Sequence, residues 1–238
     1  MIGVLLKCGS WIGFVYLSLL IVENSWPIVV TADDVPFLEE RIELAETPMW
    51  RAMLALHVAA GVVCLVSSFL QFFRSLVRRL PWLHRWLGLT YTWSILGVLA
   101  PTGFYLAWCA KGGLAGIAGF TVLGIFTTHS TRMGWAAIRR GESHEHVVWM
   151  IRSFAMVTTA ITFRIYNITF FQFGMGVETV YLVALYLSLI GNALFAEWLI
   201  ARFNSPTSTE TQKHNEHEKH LPTAAFSGAF TQRFRPEN

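Results

Sequence analysis

Long apolar runs fill most of the chain, and each has the length that a helix needs to cross a bilayer. Six such runs cover residues 4–22, 50–73, 87–108, 113–137, 147–171 and 177–201. About 20 apolar residues in a helix span the hydrocarbon core. None of the runs alternates apolar and polar residues with the period of two that membrane strands show. The pattern therefore predicts an all-α, polytopic membrane bundle of six transmembrane helices over residues 1–202.

Basic residues are concentrated in alternate connections, which predicts the orientation. The second-to-third connection carries Arg74, Arg78, Arg79 and Arg85, and the fourth-to-fifth carries Arg139 and Arg140. The first-to-second connection is acidic, and the fifth-to-sixth has no lysine or arginine. Lysine and arginine favour the cytosolic side, so both termini are predicted to be cytosolic. An even number of spans agrees with this orientation.

Two polar segments lie outside the spans. The loop of residues 25–48 is acidic and external, and its Leu38, Ile42 and Leu44 predict a short surface helix. Residues 203–238 are polar, without apolar periodicity, and are predicted to be a disordered cytosolic tail.

Composition agrees with a membrane protein and excludes several classes of soluble protein. Hydrophobic residues make up 54% of the chain and charged residues 14%, against about 25% charged residues in soluble domains. The basic residues are divided among short loops, so no nucleic-acid-binding surface is predicted. Three scattered cysteines (Cys8, Cys64 and Cys109) indicate neither a disulfide framework nor a CxxC metal site.

The second span carries a polar stripe. His57, Cys64 and Gln71 are seven residues apart, so they share one helix face with Gly61 and Ser68. A helix-packing face would explain the small residues. His57 and Gln71 also need hydrogen-bond partners in a dry interior, which makes them candidate functional residues.

The fifth span carries two arginines at different depths. Arg152 lies near its cytosolic end, where it could reach lipid headgroups. Arg164 lies about two turns inside the outer boundary, at the depth of His57 on the second span. Arginine stays charged and must find an acceptor, an anion or water. We therefore expect His57 and Arg164 to line one cavity on the outer side.

Three histidines are predicted near the cytosolic face: His84, His129 and His146. Two histidines on facing helices can ligate haem axially, and three at one depth can bind a metal ion. Contacts with lipid headgroups are the alternative. His84 and His146, with Arg152, are the candidate cofactor-binding residues, and haem b is the candidate cofactor.

Several spaced motifs resemble the predicted membrane proteins of domain-of-unknown-function family 2306. They are Leu83-His84-Arg85-Trp86-Leu87-Gly88 with Tyr91, His146-x-x-Trp149-Met150-x-Arg152-Ser153 with Arg164, and His57, Gln71 and Arg74. The resemblance covers roughly residues 50–164. It implies a membrane protein and supports this choice of residues, but it implies no reaction. His129 falls outside the pattern, so no metal site is predicted.

Taken together, these residues favour a membrane-embedded redox protein or enzyme that acts on a lipophilic small molecule within the bilayer. His57 would serve as a general acid or base, Arg164 would hold an oxygen of the substrate, and Gln71 is the third candidate catalytic residue. A transporter or channel for a small solute is one alternative, with Pro101 as its one indication of a broken helix. A non-catalytic membrane assembly protein is the other.

Overall fold

Helices account for nearly all of the described chain. The computed structural model describes residues 41–71 and 79–204, together with Tyr16. The α-helices are α1 (Ile42–Ala45), α2 (Pro48–Gln71), α3 (Pro81–Trp93), α4 (Ala100–Trp108), α5 (Gly113–Arg139), α6 (Ser143–Val157), α7 (Thr159–Gln172) and α8 (Val177–Asn204). A π-helical segment, Ser94–Leu99, joins α3 to α4. No strand occurs within these ranges, which confirms the all-α prediction.

Four of the described helices are long and apolar enough to cross a membrane. They are Pro48–Gln71, Gly113–Arg139, Ser143–Gln172 and Val177–Asn204, where the third combines α6 and α7. They correspond to the second, fourth, fifth and sixth predicted spans. The third predicted span is interrupted by the π-helical segment. The first predicted span, most of the acidic loop and nearly all of the predicted tail lie outside the described residues.

Two of the helical rods are interrupted about midway. The π-helical segment directly precedes the first turn of α4, which contains Pro101. Proline lacks the N–H that would continue the hydrogen-bond ladder, and it is well tolerated in the first turn of a helix. Between α6 and α7 the interruption falls at Thr158, whose hydroxyl donates to the carbonyl of Ala155 at 2.8 Å. Threonine hydroxyls that bond to nearby carbonyls compete with helical pairing.

The interior consists of two main apolar clusters. The first joins α2, α3, the π-helical segment, α6 and α7 through Cys64, Leu65, Tyr91, Ile95, Val157 and Ile161. The second joins α6 to α8 through Ala155, Met156, Leu189 and Ala196. Many large apolar side chains are exposed instead, among them Val66, Ile125, Phe126, Ile168, Ile190 and Leu194. Such extensive apolar exposure is typical of a surface that contacts lipid.

Glycines allow the helices to approach closely. A Cβ atom at Gly134 of α5 would lie 2.9 Å from Sδ of Met150 on α6. At Gly119 a Cβ would lie 2.6 Å from a side-chain carbon of Leu185 on α8. Small residues at such crossings are typical of membrane helix pairs.

The end of the bundle that contains the start of α2 is closed by α1. Trp50 and Leu54 of α2 form a small cluster there, against which Leu44 of α1 packs. Arg41, just before α1, donates a hydrogen bond to the carbonyl of Cys109. The short helix expected around Ile42 and Leu44 is therefore present.

The described residues up to Trp198 belong to one compact unit, and a second unit begins at Leu199. The described part of the second unit is the last turn and a half of α8, residues 199–204.

Candidate functional site

His57 is held by the interrupted rod opposite it. Its Nδ1 lies 3.1 Å from the carbonyl oxygen of Leu99 and 3.1 Å from Oγ1 of Thr102. Leu99 ends the π-helical segment, and Thr102 lies in the first turn of α4. The interruption therefore positions a carbonyl and a hydroxyl against one edge of the imidazole.

These contacts fix the tautomer of His57. The carbonyl of Leu99 can only accept, and the hydroxyl of Thr102 donates to the carbonyl of Val98 at 2.6 Å. Nδ1 must therefore carry the proton and donate it towards Leu99 and Thr102. In the neutral ring Nε2 then keeps its lone pair, and no described residue hydrogen-bonds to it. His57 consequently offers Nε2 as a proton acceptor.

Gly103 leaves space for the imidazole. A Cβ at this position would lie 3.0 Å from Cε1 of His57 and 3.4 Å from its Nδ1. By contrast, a Cβ at Gly97 would meet nothing within 4 Å. The absence of a side chain at Gly103 thus allows α4 to approach His57 closely.

We expect Gly103→Ala to destabilise the protein while Gly97→Ala does not. An alanine normally stabilises a helix interior by about 0.5–1 kcal/mol relative to glycine. At Gly103 this gain is offset because the added methyl pushes the imidazole away from Leu99 and weakens its hydrogen bond, at a cost of about 1 kcal/mol or more. Thermal unfolding of both variants in the same detergent checks the contrast. Equal melting temperatures would show that His57 is not held as described.

Arg164 lies near His57 but is exposed. Its Nη1 donates to the carbonyl of Ala160 on its own helix at 2.9 Å, and no other described residue hydrogen-bonds to it. The guanidinium is close enough to His57 to interact electrostatically with the imidazole. The structure therefore places Arg164 within electrostatic range of His57, with the arginine exposed rather than deep in the interior.

Gln71, His84 and His146 lie at the other end of the bundle, so Gln71 is not part of the His57–Arg164 pair. His146 Nδ1 lies 2.8 Å from the carbonyl of Gly134, to which it must donate. Nδ1 of His84 and Nε2 of Gln71 are buried, and neither has a hydrogen-bond partner within residues 41–71 and 79–204. His84 precedes the predicted span, and both burial and the charge of His146 lower its pKa.

Arg152 pairs with a carboxylate. Its Nε and Nη2 donate to the two carboxylate oxygens of Glu197 on α8, at 2.6 and 3.0 Å. The guanidinium also lies over the ring of Trp149, 4.6 Å from the centroid. In turn, Trp149 contacts the exposed His129 edge to face at 5.4 Å. Arg152 thus has a partner of its own in α8.

No metal centre is formed by the described residues. Within residues 41–71 and 79–204, no three His, Cys, Asp or Glu side chains come together as a metal site. His84 and His146 are close enough to interact electrostatically, and their role as ligands of haem b stays a prediction.

A buried hydroxyl chain joins α3, α5 and α6, and sequence analysis did not single it out. Tyr91 donates to Ser153 at 2.8 Å, Ser153 to Thr131 at 2.7 Å, and Thr131 to the carbonyl of Thr127 at 2.8 Å. The direction of donation along the chain of hydroxyls is fixed, because the carbonyl of Thr127 at its end can only accept a hydrogen bond. Tyr91 and Ser153 occur in the motifs quoted above, whereas nothing in the sequence marks Thr131 among the other threonines of α5.

Asn192 of α8 was also missed. Its Nδ2 lies 3.0 Å from the carbonyl of Ala155 and 3.1 Å from the hydroxyls of Thr159 and Thr162. These acceptors surround the interruption between α6 and α7. An asparagine within an apolar span is costly without partners, and that was the signal available in the sequence.

Comparison with known proteins shows the family to which the chain belongs. No similar protein was found among the curated proteins, and no similar chain among the solved structures. A family model described as "Predicted membrane protein (DUF2306)" matches residues 54–200, which include His57, Gln71, His84, His146, Arg152 and Arg164. The match confirms the resemblance drawn from the motifs and extends it through most of α8. The chain is therefore a membrane protein that belongs to the DUF2306 family.

Proposed function

We propose that this chain is a six-span membrane protein with both termini in the cytosol, and an enzyme that acts on a lipophilic small molecule held between His57 and Arg164. The observation that carries this proposal is the fixed proton on Nδ1 of His57. It leaves Nε2 as a base beside a guanidinium that has one described hydrogen-bond partner.

The two groups have complementary roles. Nε2 of His57 can accept a proton from a substrate, and a fixed tautomer keeps the lone pair correctly directed. Arg164 can stabilise negative charge on a carbonyl or anionic oxygen of the same molecule. Because Arg164 is exposed on an apolar rod, a substrate dissolved in the bilayer could reach the pair from the side.

The experiment is the recovery of a bound molecule. The protein is purified in mild detergent, and its organic extract is compared by mass spectrometry with extracts of His57→Gln and Arg164→Gln. We expect a molecule bearing a carbonyl or acidic oxygen to co-purify with the natural chain and to fall at least tenfold in both variants. His129→Gln, which alters an exposed imidazole, is the matched control.

Two outcomes would contradict the proposal. One is an extract from the natural chain that contains only the bulk phospholipids of the membrane. The other is retention of the molecule at the control level in both variants.

Transport of a small solute is a second candidate function, and the two interrupted rods favour it. Interrupted transmembrane helices often supply the substrate and ion sites of transporters near the middle of the membrane. Here both interruptions carry polar contacts, one to His57 and one to Asn192. Uptake by reconstituted vesicles that is abolished by Asn192→Leu but retained in His57→Gln would favour this candidate over the enzyme.

A further inference from the structure

Two buried nitrogen atoms at the predicted cytosolic end have no hydrogen-bond partner among the residues that the structure describes. They are Nε2 of Gln71, at the end of α2, and Nδ1 of His84, in the first turns of α3. Leaving a buried polar group unpaired costs about 1–3 kcal/mol. The great majority of such groups in native proteins do have a partner. Two in one region therefore point to an occupant that the described residues do not supply.

The two nitrogens belong to one cluster of side chains. Gln71 packs against Gly88, because a Cβ at Gly88 would lie 3.6 Å from Oε1 of Gln71 and 3.9 Å from its Nε2. His84 precedes Gly88 by four residues, so the two share a face of α3. His146 interacts electrostatically with His84. We call Gln71, His84 and His146 the inner cluster.

The inner cluster suits an uncharged ligand. Burial and the neighbouring His146 lower the pKa of His84, which favours the neutral imidazole. Gln71 is always neutral. A phosphate or carboxylate would thus find no charge on Gln71, and burial disfavours a positive charge on His84. A metal ion would find two imidazoles and no third His, Cys, Asp or Glu in the described residues.

The chemistry of the cluster defines the occupant further. Nε2 of Gln71 can only donate, so the ligand must present an acceptor oxygen. A neutral imidazole can donate to a carbonyl in one tautomer and accept from a hydroxyl in the other. A head that alternates between carbonyl and hydroxyl therefore matches both side chains, and its site next to the bilayer requires it to be lipid-soluble.

We propose that the inner cluster binds the head of a quinone or its quinol, with one ring oxygen between Gln71 and His84. Gly88 leaves a methyl-sized space beside the Gln71 amide, since a Cβ there would make ordinary contacts only. Entry of the oxygen requires the Gln71 amide to turn towards that space. This proposal is independent of the His57–Arg164 pair and concerns the opposite end of the bundle.

The test is a titration with decylubiquinone. The full chain is reconstituted in nanodiscs, and quenching of tryptophan fluorescence is followed, since Trp82 and Trp86 flank His84 on α3. We expect saturable binding by the natural chain. Gln71→Leu and His84→Leu should each bind about tenfold more weakly, because each loses one hydrogen bond to the head. Gly88→Ala should also bind more weakly without a lower melting temperature, because its methyl fills the space without a clash.

The matched control is Gln172→Leu, which replaces an exposed glutamine at the end of α7, at the other end of the bundle. It should bind decylubiquinone like the natural chain. Absence of saturable binding by the natural chain would overturn the proposal, and so would unchanged affinity in Gln71→Leu and His84→Leu. Either result would mean that the two nitrogens pair with each other or with water. Because none of these variants touches His57 or Arg164, neither result bears on the proposed enzyme.

Discussion

Replacing Ser153 with alanine is expected to destabilise the protein by about 2 kcal/mol. Ser153 is fully buried and stands in the middle of the hydroxyl chain. Its loss would leave the hydroxyl of Tyr91 without an acceptor and remove a donor to Thr131. Unpaired buried hydroxyls cost about 1–3 kcal/mol, although hydrogen bonds between membrane helices lie at the lower end of that range. In a chain of this size the melting temperature should fall by about 4–8 °C.

Ser188→Ala provides the matched control for this measurement. Ser188 is also fully buried, but its hydroxyl donates to the carbonyl of Leu185 within its own helix. Its removal leaves no donor unpaired, so we expect a change below about 0.5 kcal/mol. If both variants unfold at the same temperature in thermal scans, the hydroxyl chain does not hold α3, α5 and α6 together.

Replacing Asn192 with leucine is expected to loosen the joint between α6 and α7. Asn192 donates to the carbonyl of Ala155 and to hydroxyls of the following threonines. Without it, those acceptors lie unpaired against a new apolar side chain. We expect a loss of about 1–2 kcal/mol. Hydrogen exchange of residues 155–162, followed by mass spectrometry, should become at least tenfold faster.

Asn167→Leu is the comparison for this second variant. Asn167 is a half-buried asparagine of α7 that forms no hydrogen bond with the described residues. Its replacement should leave exchange in residues 155–162 unchanged. If the amides of residues 155–162 are as well protected from exchange in Asn192→Leu as in the natural chain, apolar packing alone holds the joint between α6 and α7.

Much of the fold could be predicted because the bilayer imposes a simple rule on the sequence. The apolar runs at 113–137 and 177–201 match α5 and α8 to within a few residues, since length and hydropathy decide where a spanning helix lies. Interruptions within a span are harder to predict. Pro101 indicated a kink, but a π-helical segment depends on local backbone pairing that no residue pattern specifies. Val157-Thr158-Thr159 carries neither glycine nor proline, so the break there had no sequence signal.

The candidate site was predicted in part. Depth along a helix follows from residue number, so placing His57 and Arg164 near one another needed only the helical rise. The sequence grouped Gln71 with them as a third catalytic candidate, and only the structure placed it against Gly88, away from His57. Which side chains face a neighbouring helix depends on the rotation of each helix about its own axis, and the sequence does not specify this rotation. For that reason the partner of Arg152 on α8, Glu197, and the three-helix contact of Thr131 emerged only from the structure.

The π-helical segment constrains the number of residues in its rod as well as their identity. A segment of this kind contains one residue more than an α-helix with the same hydrogen-bonded ends, and one residue corresponds to about 100° of rotation around the axis. Compared with an uninterrupted α-helix of the same residues, the residues after Leu99 are therefore rotated about the helix axis relative to those before Ser94. Winding the same residues as a regular α-helix would swing Thr102 and Gly103 to another side of the rod, away from His57, whereas removing one residue would restore α-helical pairing and keep them facing it.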